Sequence, residues 1–327
     1  MAEVRVAQIG SWPGSDVDLA LRISLTDSPD LPVLPELPGR GAHAGMIGRA
    51  TALLPGLDFD LQPAGWRLHQ GTGHDQRRAR QLFRDDLDRL EEQAQGYVGP
   101  LKFSVAGPWT LAATLERPRG DKVLADHGAR REVAASLSAG ISELTDELRR
   151  RMPDIEPVWQ LDEPLLSAVR AGRVSTASGF SRHRTVDVPE LVGAIEMIMK
   201  PTEVSWWLHS CAAGMPYAEL QQAPVDVFSF DESLITAAEW DVLGAAGESG
   251  RGLALGVGAT SGPLSNPDQL ARRVLRRFET LGLESSVVDR WWLTPTCGLA
   301  GRAEPDAVRT LRALRSAADI VNEELGG

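Results

Sequence analysis

The sequence predicts an α/β chain folded as a single (β/α)8 TIM barrel. Two observations carry this. Eight short apolar runs, rich in Val, Leu, Phe and Trp, each end in a small or chemically functional residue. Runs that are apolar throughout suit strands buried on both faces of a parallel sheet. Helix-like stretches lie between them, and strand-then-helix repeated eight times reads as a barrel rather than an open sheet. The 327 residues are ordinary for eight such units with extensions, and 1–327 reads as one domain with no boundary and no repeat.

The elements follow in order. Residues 4–9 run into Gly10-Ser11-Trp12-Pro13, and 31–34 into Pro35-Glu36. Residues 101–105 run into Ala106-Gly107-Pro108, and 157–161 into Asp162-Glu163-Pro164. In the second half, 204–208 lead to His209-Ser210-Cys211, and 225–230 to Asp231-Glu232. The last two, 253–257 and 291–293, lead to Gly258-Ala259-Thr260 and Thr294-Pro295-Thr296-Cys297. Between them, 77–94 is charged and periodic. The stretch 130–151 spaces Leu137, Ile141, Leu144 and Leu148 near the helical repeat. The stretch 266–281 opens with Asn-Pro-Asp and stops before Gly282, and 304–324 opens with Glu-Pro-Asp. Residues 37–76 are rich in Gly and His with little periodicity, and read as an insertion after the second strand or an active-site cover. Residues 165–190 are similar.

Hydrophobic residues make up 43% of the chain, enough for a sizeable core and unlike a disordered sequence. Basic residues number 34 against 45 acidic ones, a net charge of −11. Such a chain is ill-suited to wrapping nucleic acid or sitting on anionic lipid, so neither is expected as a partner. The main basic cluster, Arg149-Arg150-Arg151, reads as a solvated helix end. The first residues are not signal-like, and no apolar run has transmembrane length. Two cysteines make no disulfide framework, so a reducing, cytoplasmic setting is expected.

In such a barrel the catalytic side chains gather where strands end and loops begin. At the eight predicted ends stand Ser11, Glu36, Gly107, Asp162, His209 with Cys211, Asp231, Thr260 and Cys297. Both cysteines fall in this set. Zinc takes four ligands from Cys, His and carboxylate, and two cysteines with one histidine leave a position that can open. The expected cofactor is Zn2+ on His209, Cys211 and Cys297, with Asp231, Glu232, water or substrate as the fourth ligand. A buried cysteine is ordinarily a small core residue; the joint arrival of all three at strand ends favours the metal. Asp162-Glu163 offers two carboxylates, to bind a substrate ammonium or to cap a helix. Gly10-Ser11 offers backbone N–H groups to an anion at a helix start, and Glu36 is a further acidic candidate.

These residues stand in a known order. Ile9-Gly10-Ser11-Trp12-Pro13, Gly107-Pro108-Trp109-Thr110, Gln160-Leu161-Asp162-Glu163-Pro164, His209-Ser210-Cys211 and Pro295-Thr296-Cys297-Gly298-Leu299 follow one another. The chain thereby resembles the C-terminal catalytic barrel of the cobalamin-independent methionine synthase family, from about residue 4 to the C-terminus. The wider group is the uroporphyrinogen decarboxylase and methionine synthase-like superfamily. The resemblance implies zinc on His209, Cys211 and Cys297, with the family's Glu after the sixth strand falling on Asp231. It implies that the Ile9-Gly10-Ser11 turn and Asp162 hold the carboxylate and amine of homocysteine, and it maps a second family carboxylate loosely onto Glu36. Two departures matter. The family enzymes carry an N-terminal barrel that helps bind folate, which this sequence lacks. The family's catalytic His after the seventh strand is Thr260 here.

The expected function is a zinc-dependent methyltransferase acting on the thiol of homocysteine, or a similar thiol, to form methionine. The donor stays open among 5-methyltetrahydrofolate, a methyl-corrinoid brought by a corrinoid protein, and a small methyl donor. A folate nitrogen must be protonated to leave, which Thr260 cannot do as a His would; a reduced cobalt or a sulfonium needs no acid. The alternatives are a metal-free, uroporphyrinogen-decarboxylase-like barrel and a non-catalytic zinc-binding barrel. The first has no use for Cys211 and Cys297 together.

Overall fold

The computed structural model describes residues 3–71, 73–283 and 285–326. In chain order the strands are β1 (Arg5–Val6), β2 (Asp58–Gln62), β3 (Gly65–His69), β4 (Gly99–Ala106), β5 (Ile155–Asp162), β6 (Ser205–Ser210), β7 (Val227–Asp231), β8 (Gly252–Gly258) and β9 (Trp291–Pro295). Seven of them form one curled parallel sheet in the order β1-β9-β8-β7-β6-β5-β4. The helices are α1 (Val17–Asp27), α2 (Met46–Ala52), α3 (His74–Gln93), α4 (Pro108–Thr114), α5 (His127–Arg151), α6 (Leu166–Arg170), α7 (Val188–Met199), α8 (Tyr217–Leu220), α9 (Ala237–Glu248), α10 (Pro267–Leu281) and α11 (Glu304–Gly326). Among the described residues, no helix is long and apolar enough to cross a membrane.

The local signals explain the helix limits. The Asn266 side chain accepts from Gln269 N, Pro267 occupies the first turn, and Gly282 closes α10 in the left-handed region at φ 62°. Alternation along the strands sends large side chains outward under the helices. Phe103, Trp159 and Trp206 form a continuous aromatic layer there, with centroids 5.6 and 6.3 Å apart. Inside the curl, Ala7, Leu31, Val158, Trp207, Val227, Ala254 and Trp292 pack as a separate cluster.

Three expectations are corrected. The run 31–34 is not a regular strand. Pro32 and Pro35 lack N–H donors, so a continuous ladder cannot form. The run instead makes single parallel bridges, Val33 to Lys102 on β4 and, just beyond it, Glu36 to Ser11 after β1. The Ser24 hydroxyl takes both the N–H and the C=O of Val33, at 2.7 and 2.8 Å. The first strand is only Arg5–Val6, not 4–9. Gly10-Ser11 does not open a helix: α1 starts at Val17, capped by Asp16 through Leu19 N. The stretch 37–76, expected as an insertion or cover, contains α2 and the antiparallel β2–β3 hairpin. There Phe59 and Trp66 are buried while the turn is open.

Candidate metal centre and substrate site

The parity that turns Trp159 and Trp206 outward turns the next residues inward. The Trp206 indole donates to Met199 O at the end of α7, and that of Trp159 to Thr145 on α5. Gln160 and Asp162 on β5, and Trp207 and His209 on β6, therefore face the interior. Asp162 and His209 are register partners, as are His209 and Ser229 on β7. His209 is buried and shares a hydrogen bond from Nδ1 with Ser229 Oγ at 2.9 Å. Its Nε2 is buried with no partner in the protein.

One ring nitrogen of His209 and the Sγ atoms of Cys211 and Cys297 all lie within 4.8 Å of one another. With Nδ1 engaged by Ser229, Nε2 is the nitrogen left for them. The two sulfurs are 2.9 Å apart. That contact lowers the pKa of Cys211 and, with burial, raises that of Cys297. The pair thus releases its first proton more readily than its second. An unsatisfied imidazole nitrogen beside two thiols, its ring oriented by a hydroxyl, is a zinc donor set with its outer support. The residues fit that ion.

The proposed fourth ligands behave differently. Asp231 stands at the end of β7, and its Oδ1 accepts from Ser233 N at 2.9 Å and Ser233 Oγ at 2.6 Å. It is not within the three-residue cluster. Glu232 is drawn out of the site: its carboxylate pairs with Arg273 at 2.5 Å and Arg277 at 2.8 Å on α10. A carboxylate committed to two guanidinium groups is less free to turn to a metal than one without them.

A second group of residues adjoins the cysteines. Leu299 N donates to Ser11 O at 2.8 Å, and a Cβ on Gly298 would collide with Ser11 Oγ. The turn after Cys297 is thus packed on Ser11. On its other side, Glu36 N donates to Gly10 O and Trp12 N to Glu36 O. Gly10 and Ser11 thus lie between Glu36 and the Cys297 turn, while Ile9 O accepts from Ser104 Oγ and Gln160 Nε2. Burial pushes the Glu36 carboxyl up to about 7, against the pull of Arg49, and Asp162 adds to the rise. Burial also raises Asp162, opposed by His209, by a hydrogen bond from Gln160, and by Lys102 and Arg49.

Some of the residues that shape this site carried no assigned role in the sequence reading. Arg49 on α2 is buried and donates to Pro35 O at 2.7 Å. Nothing in its featureless stretch marked it. Lys102 and Gln160 did leave a trace, as polar residues inside apolar runs. Lys102 is fully buried, donates to Gln8 O and to Gln160 Oε1 (2.6 Å), and stands 4.4 Å over the Trp207 ring. Burial pulls its ammonium down to about 7, with Asp162 opposing. Glu163 turns away from the interior. It accepts from Trp109 N, Thr110 N and Thr110 Oγ1 at 2.9, 2.8 and 2.7 Å, capping α4 from the neighbouring strand. Gly107 must be glycine there, since a Cβ would strike this carboxylate. Thr260 sits half-buried in the loop after β8, outside the cluster. That loop is pinned by Arg302, which donates to Ala259 O, Ser261 O and Gly262 O.

Fold and site together define a parallel α/β protein that brings an imidazole, two thiols and buried acids to one end of its sheet. Residues 105–320 match the family model described as the catalytic domain of cobalamin-independent synthase, and the chain belongs to that family. It is 25% identical over 228 residues to the 5-methyltetrahydropteroyltriglutamate–homocysteine methyltransferase of Corynebacterium efficiens, covering 69% of this chain and 28% of that protein. The chain therefore spans well under half of that relative's length. Its fold is similar to that of a B12-independent methionine synthase from Shewanella sp. W3-18-1, solved in complex with selenomethionine. The two align with a TM-score of 0.67 and 15% identity, over 99% of each chain.

Proposed function

We propose that this chain is a zinc-dependent methyltransferase that transfers a methyl group to the thiol of homocysteine, forming methionine. The observation that carries the reading is the unpartnered, buried Nε2 of His209 beside the Cys211–Cys297 pair, next to the inward-facing Asp162. His209, Cys211 and Cys297 would hold a zinc ion, whose Lewis acidity would favour the thiolate of a substrate thiol at neutral pH. Asp231, water or the substrate would complete the set. A metal-free reading leaves the His209 nitrogen without a role.

The protein's own residues do the positioning. Asp162 accepts hydrogen bonds from the amino-acid ammonium, and Ser11 with the Ile9-Gly10 turn receives its carboxylate. Glu36 and Arg49 form the adjoining wall. Fixing both ends of a small amino acid aims its thiol at the cysteines and makes the transfer effectively unimolecular. The donor stays open among 5-methyltetrahydrofolate, a methyl-corrinoid and a small methyl donor; Thr260 offers no acid near neutral pH, which favours the two whose leaving group departs without a proton. The bridges of residues 33 and 36 to the two sheet edges support reading that segment as the eighth stave of a closed (β/α)8 barrel. Two free thiols at ligand positions suit a reducing, cytoplasmic setting.

Metal analysis of the purified protein, with the zinc-edge absorption spectrum before and after homocysteine, tests the reading. About one zinc per chain that gains a sulfur neighbour on adding homocysteine is expected. A protein free of zinc after metal-replete purification removes it.

A further inference from the structure

Lys102 is a charge in an unexpected place. It lies in the sheet interior, fully buried, and among the described residues its ammonium bonds to no carboxylate. A buried ammonium is costly unless it is well bonded. Its partners are neutral: Gln8 O, Gln160 Oε1 and the face of Trp207.

Gln160 carries the consequence. Its Oε1 accepts from Lys102 at 2.6 Å, and its Nε2 donates to Asp162 Oδ1 at 2.7 Å and to Ile9 O at 2.9 Å. A side-chain amide can rotate to exchange its oxygen and its NH2. The Lys102 ammonium donates to the amide oxygen, while Asp162 Oδ1 and Ile9 O only accept from its NH2, so the three partners agree on one orientation. The flipped amide would point NH2 at an ammonium and oxygen at a carboxylate. With the orientation locked, Asp162 Oδ1 is held and the other carboxylate oxygen is left for a ligand. The same NH2 group holds Ile9 O, with Ser104 Oγ as a second donor at 3.1 Å. One amide therefore reaches both parts of the proposed amino-acid site.

We infer that Lys102 is a positioning residue which, by locking the Gln160 amide, sets the Asp162 carboxylate and the Ile9 turn for the amino-acid end of the substrate. The inference rests on the binding role proposed for Asp162 and Ile9. Lys102 acts through Gln160 and need not touch the substrate.

The test uses the full zinc-loaded chain and homocysteine titration calorimetry, with metal content measured in parallel. Lys102→Met, Gln160→Leu and Gln160→Glu should each weaken homocysteine binding about tenfold or more, as expected for hydrogen bonds to a charged group, with zinc stoichiometry unchanged. Gln160→Glu is the discriminating variant. It keeps an acceptor for Lys102 and the side-chain size but loses the donor to Asp162 and Ile9 O, so it tests the amide's link to the site apart from its packing. The double variant Lys102→Met/Gln160→Leu should bind no more weakly than Gln160→Leu alone. Wild-type affinity in Gln160→Glu, or losses that add in full, would overturn the inference. If Lys102→Met does not fold, the two Gln160 variants decide. A second readout is independent of the substrate: the Gln160 side-chain amide protons should be protected in the native protein and lose protection in Lys102→Met. If the native chain does not bind homocysteine, the functional reading fails and this signal still decides the relay. Unchanged protection refutes the relay.

Discussion

At the scale of single residues, His209 shows how one environment prepares two nitrogens for different work. Ser229 holds Nδ1, and Nε2 is left buried and unpaired beside two thiols. Replacing Cys297 with Ser should abolish zinc retention while the far-UV circular dichroism stays native; normal metal content would remove Cys297 from the ligand set. Asp162→Asn should weaken homocysteine binding about tenfold and leave zinc in place, read by calorimetry beside metal analysis; equal loss of both would make Asp162 structural or a ligand. Glu36 gives a pH signature. Its folded-state pKa, about 7, lies above the ordinary value of 4.5 for such a carboxyl. A carboxyl shifted upward binds more protons folded than unfolded, so its stabilising contribution is full below about 4.5 and is lost as pH rises through about 7. In Glu36→Gln this fall should disappear, a change on the order of 2 kcal/mol in urea-melt stability between pH 5 and pH 8. Parallel slopes in both proteins would contradict the assignment.

At the scale of elements, the clearest case is the cap of α4. That helix begins at Pro108 with no side-chain cap of its own, and Glu163 from the end of β5 supplies one. Glu163→Ala leaves two backbone N–H groups and a hydroxyl without partners in a dry place. The expected loss is about 3 kcal/mol by urea denaturation, with metal content unchanged; a loss under about 0.5 kcal/mol would show that water satisfies the helix start. Elements with local signals were legible from the sequence. The start and stop of α10 follow from Asn266, Pro267 and Gly282, and the apolar spacing of Leu137, Ile141, Leu144 and Leu148 marks α5. The β2–β3 hairpin was not read from the sequence, although Phe59 and Leu61 alternate across a short turn from Trp66 and Leu68, because the surrounding Gly and His hide the pattern. Capping was one of the two readings of Asp162-Glu163; which helix Glu163 caps was not legible, because α4 lies upstream, 53 residues away at Thr110.

At the scale of the molecule, the segment around Val33 joins the two edges of the sheet by few bonds. Two prolines interrupt its ladder, and the Ser24 hydroxyl serves Val33 where a neighbouring strand would. Ser24→Ala should therefore cost about 1–3 kcal/mol, more than a typical surface change. Hydrogen exchange at Leu34 N, which donates to Lys102 O, should accelerate in the same variant. Unchanged exchange there would show that the seam does not depend on Ser24.

By itself, the sequence marked β1 and β4 to β9 in order, the helices α3, α5, α10 and α11, and the chemical groups near the strand ends. These are local properties, written in apolar runs, caps and turn residues. Its eight runs implied a complete ring, and the sequence placed His209, Cys211 and Cys297 at one rim before any distance was known. Only the tertiary structure decided which of these groups meet. It sent Glu232 to Arg273 and Arg277, Glu163 to α4, and the Gly10-Ser11 turn to the Cys297 loop instead of a helix start. It also brought Arg49 and Lys102 inside. The physical reason is that a side chain's partner depends on the parity of its strand and on what a distant segment presents opposite it, and neither is encoded in its own neighbourhood.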